Sequence, residues 1–233
     1  VDANVYAIDA ATGDELWTRE VETHPGARIT GAPVLHDGRL YVTVSSLEEA
    51  LASNPGYPCC TFRGSVVALD AATGDEIWKR YVIPETPGPD GTTADGDQRF
   101  GPAGAAIWSA PTVDAGRGVL YVATGNAYTQ PAAETSDSIM AIELTTGAIR
   151  WWNQLTPGDA FIICRGNNPN CPEDAGPDHD FGASPALVTM SNGRDLLVVG
   201  QKSGMTYGLD PESDGGVVWR YRAGPGSALG GIE

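Results

Sequence analysis

Val66–Trp78 reads VVALDAATGDEIW, and the chain repeats this phrase. A near copy, VYAIDAATGDELW, occupies Val5–Trp17, and a third, MAIELTTGAIRW, runs Met140–Trp151. A fourth, looser copy, YGLDPESDGGVVW, runs Tyr207–Trp219. In the first three an acid precedes Thr-Gly, and a Trp follows that acid by eight residues (Asp9/Trp17, Asp70/Trp78, Glu143/Trp151). The fourth carries one residue more between Asp210 and Trp219. Trp-to-Trp intervals are 61, 73 and 68 residues, so a repeated unit is joined by loops of variable length.

Each copy has the chemistry of a β-hairpin. An apolar strand ends at an acid whose carboxylate can accept turn N–H groups, Gly tolerates positive φ, and a second strand carries the Trp. A lone hairpin cannot bury an indole of roughly 200 Å². Neighbouring units must cover it, and a ring of such sheets is a β-propeller. Between copies lie further strand-like runs at Arg39–Ser45, Gly118–Thr124 and Asp195–Gly200. Each is preceded by a Pro-centred piece, at Ala32–Leu35, Ala110–Val113 and Ser184–Val188. The expectation is an all-β chain of about four four-stranded antiparallel blades, one incomplete propeller domain over residues 1–233. Leu47–Ser53 (LEEALAS) is the best helical signal, and the Gly/Pro-rich stretch Pro84–Gly104 is expected to be irregular.

With 14 basic residues against 30 acidic ones, the net charge of −16 makes nucleic acid a poor partner. The acids are scattered through turns, as on a solvated surface. No apolar run is long enough for a membrane span, so none is expected. Four cysteines fall in two pairs, the adjacent Cys59-Cys60 and the CRGNNPNC loop of Cys164 and Cys171. No CxxC or CxxCH occurs, which excludes a zinc or c-haem argument from these residues. Cys164–Cys171 reads as a structural staple. Cys59-Cys60 reads either as a ring of adjacent half-cystines or as two buried thiols. Paired cysteines would place the protein in an oxidising compartment, periplasmic or secreted.

The A-x-D-x-x-T-G-x-x-x-W repeat, the adjacent cysteines and an Asp-Phe-Gly element after a long loop together resemble the quinoprotein alcohol dehydrogenases. These are eight-bladed propellers carrying pyrroloquinoline quinone (PQQ), of which this chain would be about half. Tyr57–Ser65 (YPCCTFRGS), Pro177–Pro185 (PDHDFGASP) and Ser227–Glu233 (SALGGIE) resemble the members that oxidise polyvinyl alcohol.

The resemblance implies a site. Trp108 would stack on one face of the quinone, and Cys59 and Cys60 would cap the other, although they lie in a different stretch from the family's pair. Thr30 and Ser46 match hydroxyl donors to the cofactor carboxylates, and Lys202 the cation that meets the quinone oxygens. Ca2+ would take Glu49, Asn126 and Asp180, with Glu48 as the alternative to Glu49. Asp180 matches the general base that takes the alcohol proton, with Asp178 its nearby alternative. Two departures stand out: His179 where the family commonly has Trp, and Ala106 where some relatives have a hydroxyl. The activity implied is oxidation of secondary alcohols, small or polymeric, with electrons passed to a c-type cytochrome. The rival is a propeller of the same repeats acting as a non-catalytic binding or assembly scaffold.

Overall fold

A computed structural model describes residues 2–93, 96–164 and 166–232. The chain begins with a hairpin, β1 (Asn4–Ile8) and β2 (Glu15–Glu20). The next sheet contains β3 (Ala27–Arg28), β4 (Val34–His36), β5 (Arg39–Ser46), β6 (Ser65–Asp70) and β7 (Glu76–Tyr81), with the one-turn helix α1 (Glu48–Leu51) after β5. A separate hairpin, β8 (Gly88–Thr92) and β9 (Gln98–Gly101), stands outside the blades. Then come two four-stranded antiparallel meanders. One is β10 (Thr112–Asp114), β11 (Val119–Ala123), β12 (Ser138–Glu143) and β13 (Ile149–Gln154). The other is β14 (Ala186–Thr189), β15 (Asp195–Gly200), β16 (Met205–Asp210) and β17 (Gly216–Arg222). The four repeats are therefore three complete blades and the closing hairpin of another, a partial propeller.

Blade faces stack on one another, which explains the hydrophobic pattern. β6 and β12 are buried at five of six positions and β11 at all five, so these strands read as continuous apolar runs. Outer strands alternate instead, as β2 does. β4, β10 and β14 each begin at the residue after a proline: Val34 after Pro33, Thr112 after Pro111, Ala186 after Pro185. Proline has no N–H to donate, so it marks where the ladder can start.

The repeat phrase is an inter-blade joint. Asp9 Oδ1 accepts from Ala11 N and Thr12 N at 2.8 and 2.9 Å, and Asp70 Oδ1 does the same for Ala72 N and Thr73 N. Gly74 (φ +74°) and Gly147 (φ +68°) complete the following turns and lie directly against the rings of Trp17 and Trp78, where a Cβ would collide. Trp17 Nε1 donates to Ala71 O at 3.3 Å and Trp78 Nε1 to Leu144 O at 3.1 Å. Each Trp thus docks on the turn of the next repeat, and Gly215 receives Trp151 in the same way. Gly147→Ala is expected to destabilise the protein by about 1–3 kcal/mol, from positive φ and from the collision. It would be read as a lower denaturant midpoint, and an unchanged midpoint would contradict the joint.

The β8–β9 hairpin corrects the expectation that Pro84–Gly104 is irregular. Gly88 pairs with Gly101 and Pro89 with Phe100. Phe100 in turn exchanges backbone bonds with Cys59 O (2.9 Å) and Cys60 N (3.2 Å), so a third segment holds the hairpin in register.

Candidate active site

One cavity of about 230 Å³ is lined by Thr30, Ser46, Glu49, Trp108, Asn126, Asp180 and Lys202, with Ser45, Ala106, Gly125 and Tyr128. Seven of the nine site residues expected from sequence therefore meet, contributed by the three complete blades and the loops leading into them. The other two do not line it. Cys59 and Cys60 form a disulfide in a buried cluster with Val44, Phe62, Ala103, Tyr128 and Ile162. Among these, Tyr128 is the residue that reaches the cavity.

Trp108 lies in the segment entering β10. That segment is fixed by Ile107 N to Val44 O (3.2 Å) and by Gly125 N to Ala106 O (2.8 Å). Thr30 Oγ1 donates to Trp108 O at 3.0 Å, so its hydroxyl hydrogen serves the Trp backbone here. Gly182 sits under the indole, where a side chain would run into the ring. Lys202 Nζ stands 5.5 Å from the ring centroid.

The two adjacent acids of α1 part company. Glu48 is fully buried, and its carboxylate accepts from Tyr57 OH (3.0 Å), Thr61 N (2.9 Å) and Phe62 N (2.8 Å), with His24 Nε2 at 3.2 Å. It organises the loop that follows the helix. Glu49 points the other way, into the cavity, and among the described residues nothing donates to its carboxylate. Burial, then the charges of Asp178 and Asp180, push its carboxyl up to about 8. Of the two acids, Glu49 is the one that lines the cavity. Glu48→Gln is expected to cost about 1–3 kcal/mol, because one amide end would face N–H or O–H donors. A thermal midpoint equal to wild type would contradict that role.

Ser46 Oγ accepts from Glu48 N at 2.8 Å and keeps its hydrogen for the cavity. The far end of α1 is held by the Cys164–Cys171 disulfide loop. Asn168 Nδ2 donates to Ala52 O at 2.7 Å, and Asn170 Nδ2 bonds Ala52 O, Asn54 O and Tyr57 O at 3.0–3.2 Å. These two asparagines were not singled out from sequence, although an Asn-rich loop between cysteines is the kind of segment that caps a helix.

Asn126 donates both amide hydrogens to carbonyls, Ala127 O at 2.7 Å and Phe161 O at 2.8 Å. That spends its donors and leaves Oδ1 as the atom for the cavity, with no donor to it among the described residues. Asp180 Oδ1 accepts from Asn126 N at 2.6 Å, and Oδ2 from Lys202 Nζ at 2.9 Å. Gly125 lets the carboxylate approach, since a Cβ there would stand 3.0 Å from Oδ1. Lys202 Nζ also donates to Asp178 Oδ1 at 2.9 Å. Burial works against the Lys202 charge, but Asp180 and Asp178 outweigh it and hold the ammonium well above its usual range. Burial, then the Asp180 charge, raise the Asp178 carboxyl to about 7. Asp159, which no sequence signal marked, accepts from Asp178 N (3.1 Å) and His179 N (2.8 Å) and fixes the loop carrying Asp180.

Among the described residues no three His, Cys, Asp or Glu side chains gather as a metal cluster. Even so, the donors fit a hard cation: the Glu49 carboxylate and Asn126 Oδ1 are oxygens without donors, beside Asp180. Once ionised, the Glu49, Asp178 and Asp180 carboxylates outnumber the single Lys202, and an oxygen-bound divalent cation would balance that excess.

The glucose/ethanol/alcohol dehydrogenase β-propeller domain, the PQQ family model, matches residues 22–223. The chain belongs to that family. Its curated relatives include polyvinylalcohol dehydrogenases of a Pseudomonas species and of Sphingopyxis sp. (strain 113P3). The first is 49% identical over 227 residues, covering 97% of this chain and 36% of the relative. The second is 47% identical over 231 residues, covering 97% and 35%. The chain thus spans about a third of the length of these proteins. Among solved structures, the quinohemoprotein alcohol dehydrogenase ADHIIG of Pseudomonas putida HK5 superposes with a TM-score of 0.67. It is 23% identical, with 96% of this chain and 32% of that one covered, and establishes the fold alone. Among the described residues no helix is long and apolar enough to cross a membrane.

Proposed function

We propose that this chain supplies the cofactor-facing part of a longer, PQQ- and Ca2+-dependent propeller that oxidises secondary alcohols. Its substrates would be of the polyvinyl alcohol kind, and its electrons would pass to a c-type cytochrome in the periplasm or outside the cell. One observation carries the reading: seven residues scattered from position 30 to position 202 line one cavity in a chain nearly half identical to polyvinylalcohol dehydrogenases. A scaffold propeller needs the Trp-to-turn joints but has no use for that convergence.

When bound, PQQ supplies the two-electron acceptor and a Ca2+ ion polarises it. The chain's residues do the rest. Trp108 offers a flat apolar face, stiffened from below by Gly182 and along its backbone by Thr30. Ser46 keeps a hydroxyl hydrogen for an anionic group at the rim. Glu49, Asn126 and Asp180 would hold the cation with oxygen donors. Asp180 Oδ1 is wedged against Gly125 and bonded by Asn126 N, which leaves Oδ2, on the Lys202 side, to take the alcohol proton. Lys202 would place positive charge where negative charge develops on the acceptor.

The test is dye-coupled oxidation by the full-length protein loaded with PQQ and Ca2+. Turnover of a short secondary alcohol and of polyvinyl alcohol supports the reading. Turnover confined to primary alcohols would overturn its substrate class, and no turnover with a folded, loaded protein would overturn the activity.

A further inference from the structure

We propose that Asp178 is a positioning residue for Lys202, a second anchor that keeps the ammonium from closing onto Asp180 alone and leaves one N–H aimed into the cavity. An ammonium has three N–H donors. Two are committed at equal distance, to Asp178 Oδ1 and Asp180 Oδ2, both 2.9 Å from Nζ. Lys202 lines the cavity, with Nζ 5.5 Å from the centroid of the Trp108 ring. A lysine with a single carboxylate partner keeps the rotational freedom of its four-carbon stem. Two partners fix the tripod and so fix where the third N–H points.

The fold invests several residues in placing Asp178. Its backbone is left-handed, φ +58°, a conformation that L residues adopt only where surroundings impose it. The imposing group is Asp159, fully buried, whose two carboxylate oxygens accept from Asp178 N and His179 N. Gly176 permits this approach, because a Cβ there would collide with Asp159. Lys202 alone would neutralise Asp180, so charge balance does not call for a second carboxylate on the same ammonium. Its effect is geometric. Asp159 sets the turn, the turn sets Asp178, and Asp178 sets Lys202.

This rests on the reading that Lys202 meets the bound quinone, and the experiment separates the two claims. In the full-length protein without cofactor, Lys202 is labelled competitively with acetic anhydride and quantified by mass spectrometry. Asp178→Asn, which tolerates the left-handed turn, is expected to label about tenfold faster at Lys202 than wild type, as a charge-assisted anchor is lost. Were that variant unstable, Asp178→Gly keeps the backbone and deletes the carboxylate, and carries the same expectation. With PQQ and Ca2+ added, the absorption band of the bound cofactor in Asp178→Asn should move to that of Lys202→Ala. The double variant should match Lys202→Ala alone. Wild-type labelling of Lys202 in Asp178→Asn would overturn the proposal. So would an Asp178→Asn effect that persists undiminished in the Lys202→Ala background. Failure of the wild type to bind PQQ would overturn the function proposed above, while the labelling still decides the role of Asp178.

Discussion

Asp180→Asn is expected to lower kcat of the full-length protein by about 10²–10⁴-fold while PQQ and cation binding stay within a few-fold of wild type. The amide keeps the side-chain shape and can still accept from Asn126 N through one oxygen, so the wall of the cavity survives. Its nitrogen would then face Lys202 Nζ, donor against donor, so the bond to Lys202 is lost. What it loses is the basic oxygen beside Lys202, and with it the acceptor for the alcohol proton. Stopped-flow reduction of the bound cofactor by a secondary alcohol is the direct measurement. Reduction at the wild-type rate would remove Asp180 from the chemistry and leave it a structural acid that accepts from Asn126 N and Lys202 Nζ.

Glu49→Gln is expected to weaken Ca2+ binding by on the order of 100-fold or more, since loss of even an outer partner of a metal ligand costs 10–100-fold. The pH dependence gives the sign. Because the cavity holds the Glu49 carboxyl up to about 8, that group carries a proton through neutral pH. A cation must displace the proton, so affinity rises as pH climbs towards about 8 and levels off above it. The Gln variant has no proton to displace there and should lose most of that slope. Isothermal titration from pH 6 to 9 reads both effects. A slope retained in Glu49→Gln would assign the proton to another group, and unchanged affinity would move the cation away from α1.

The sequence carried the propeller because its joint is written in the repeat. An acid, a glycine and a tryptophan recur at one spacing in the first three copies, and each of those Trp residues meets the glycine turn of the next repeat. Trp108, Asn126, Asp180 and Lys202 were legible by resemblance, and their convergence is what the fold adds. Other features had no one-dimensional trace. Glu48 and Glu49 are neighbours on a single helical turn, and only the loop folding back to give Thr61 and Phe62 N–H groups to Glu48 separates them. Asp159 does its work through backbone groups 19 and 20 residues away, which no local pattern records. The strand Gly88–Thr92 (GPDGT) lacks β-forming composition and is held by its partner strand, which the Cys59-Cys60 backbone anchors through Phe100. The adjacent cysteines show the converse. Their presence was a family-like signal, and the fold places them in the core cluster with Phe62 and Ile162.

The measurement that bears most directly on the central claim is PQQ titration of the full-length protein, with and without Ca2+, followed by Trp fluorescence and cofactor absorbance. The account predicts saturable one-to-one binding that requires Ca2+ and is lost in Trp108→Ala. A folded protein that binds no PQQ at any Ca2+ concentration would contradict it, and would leave the seven converging side chains without a cofactor to serve.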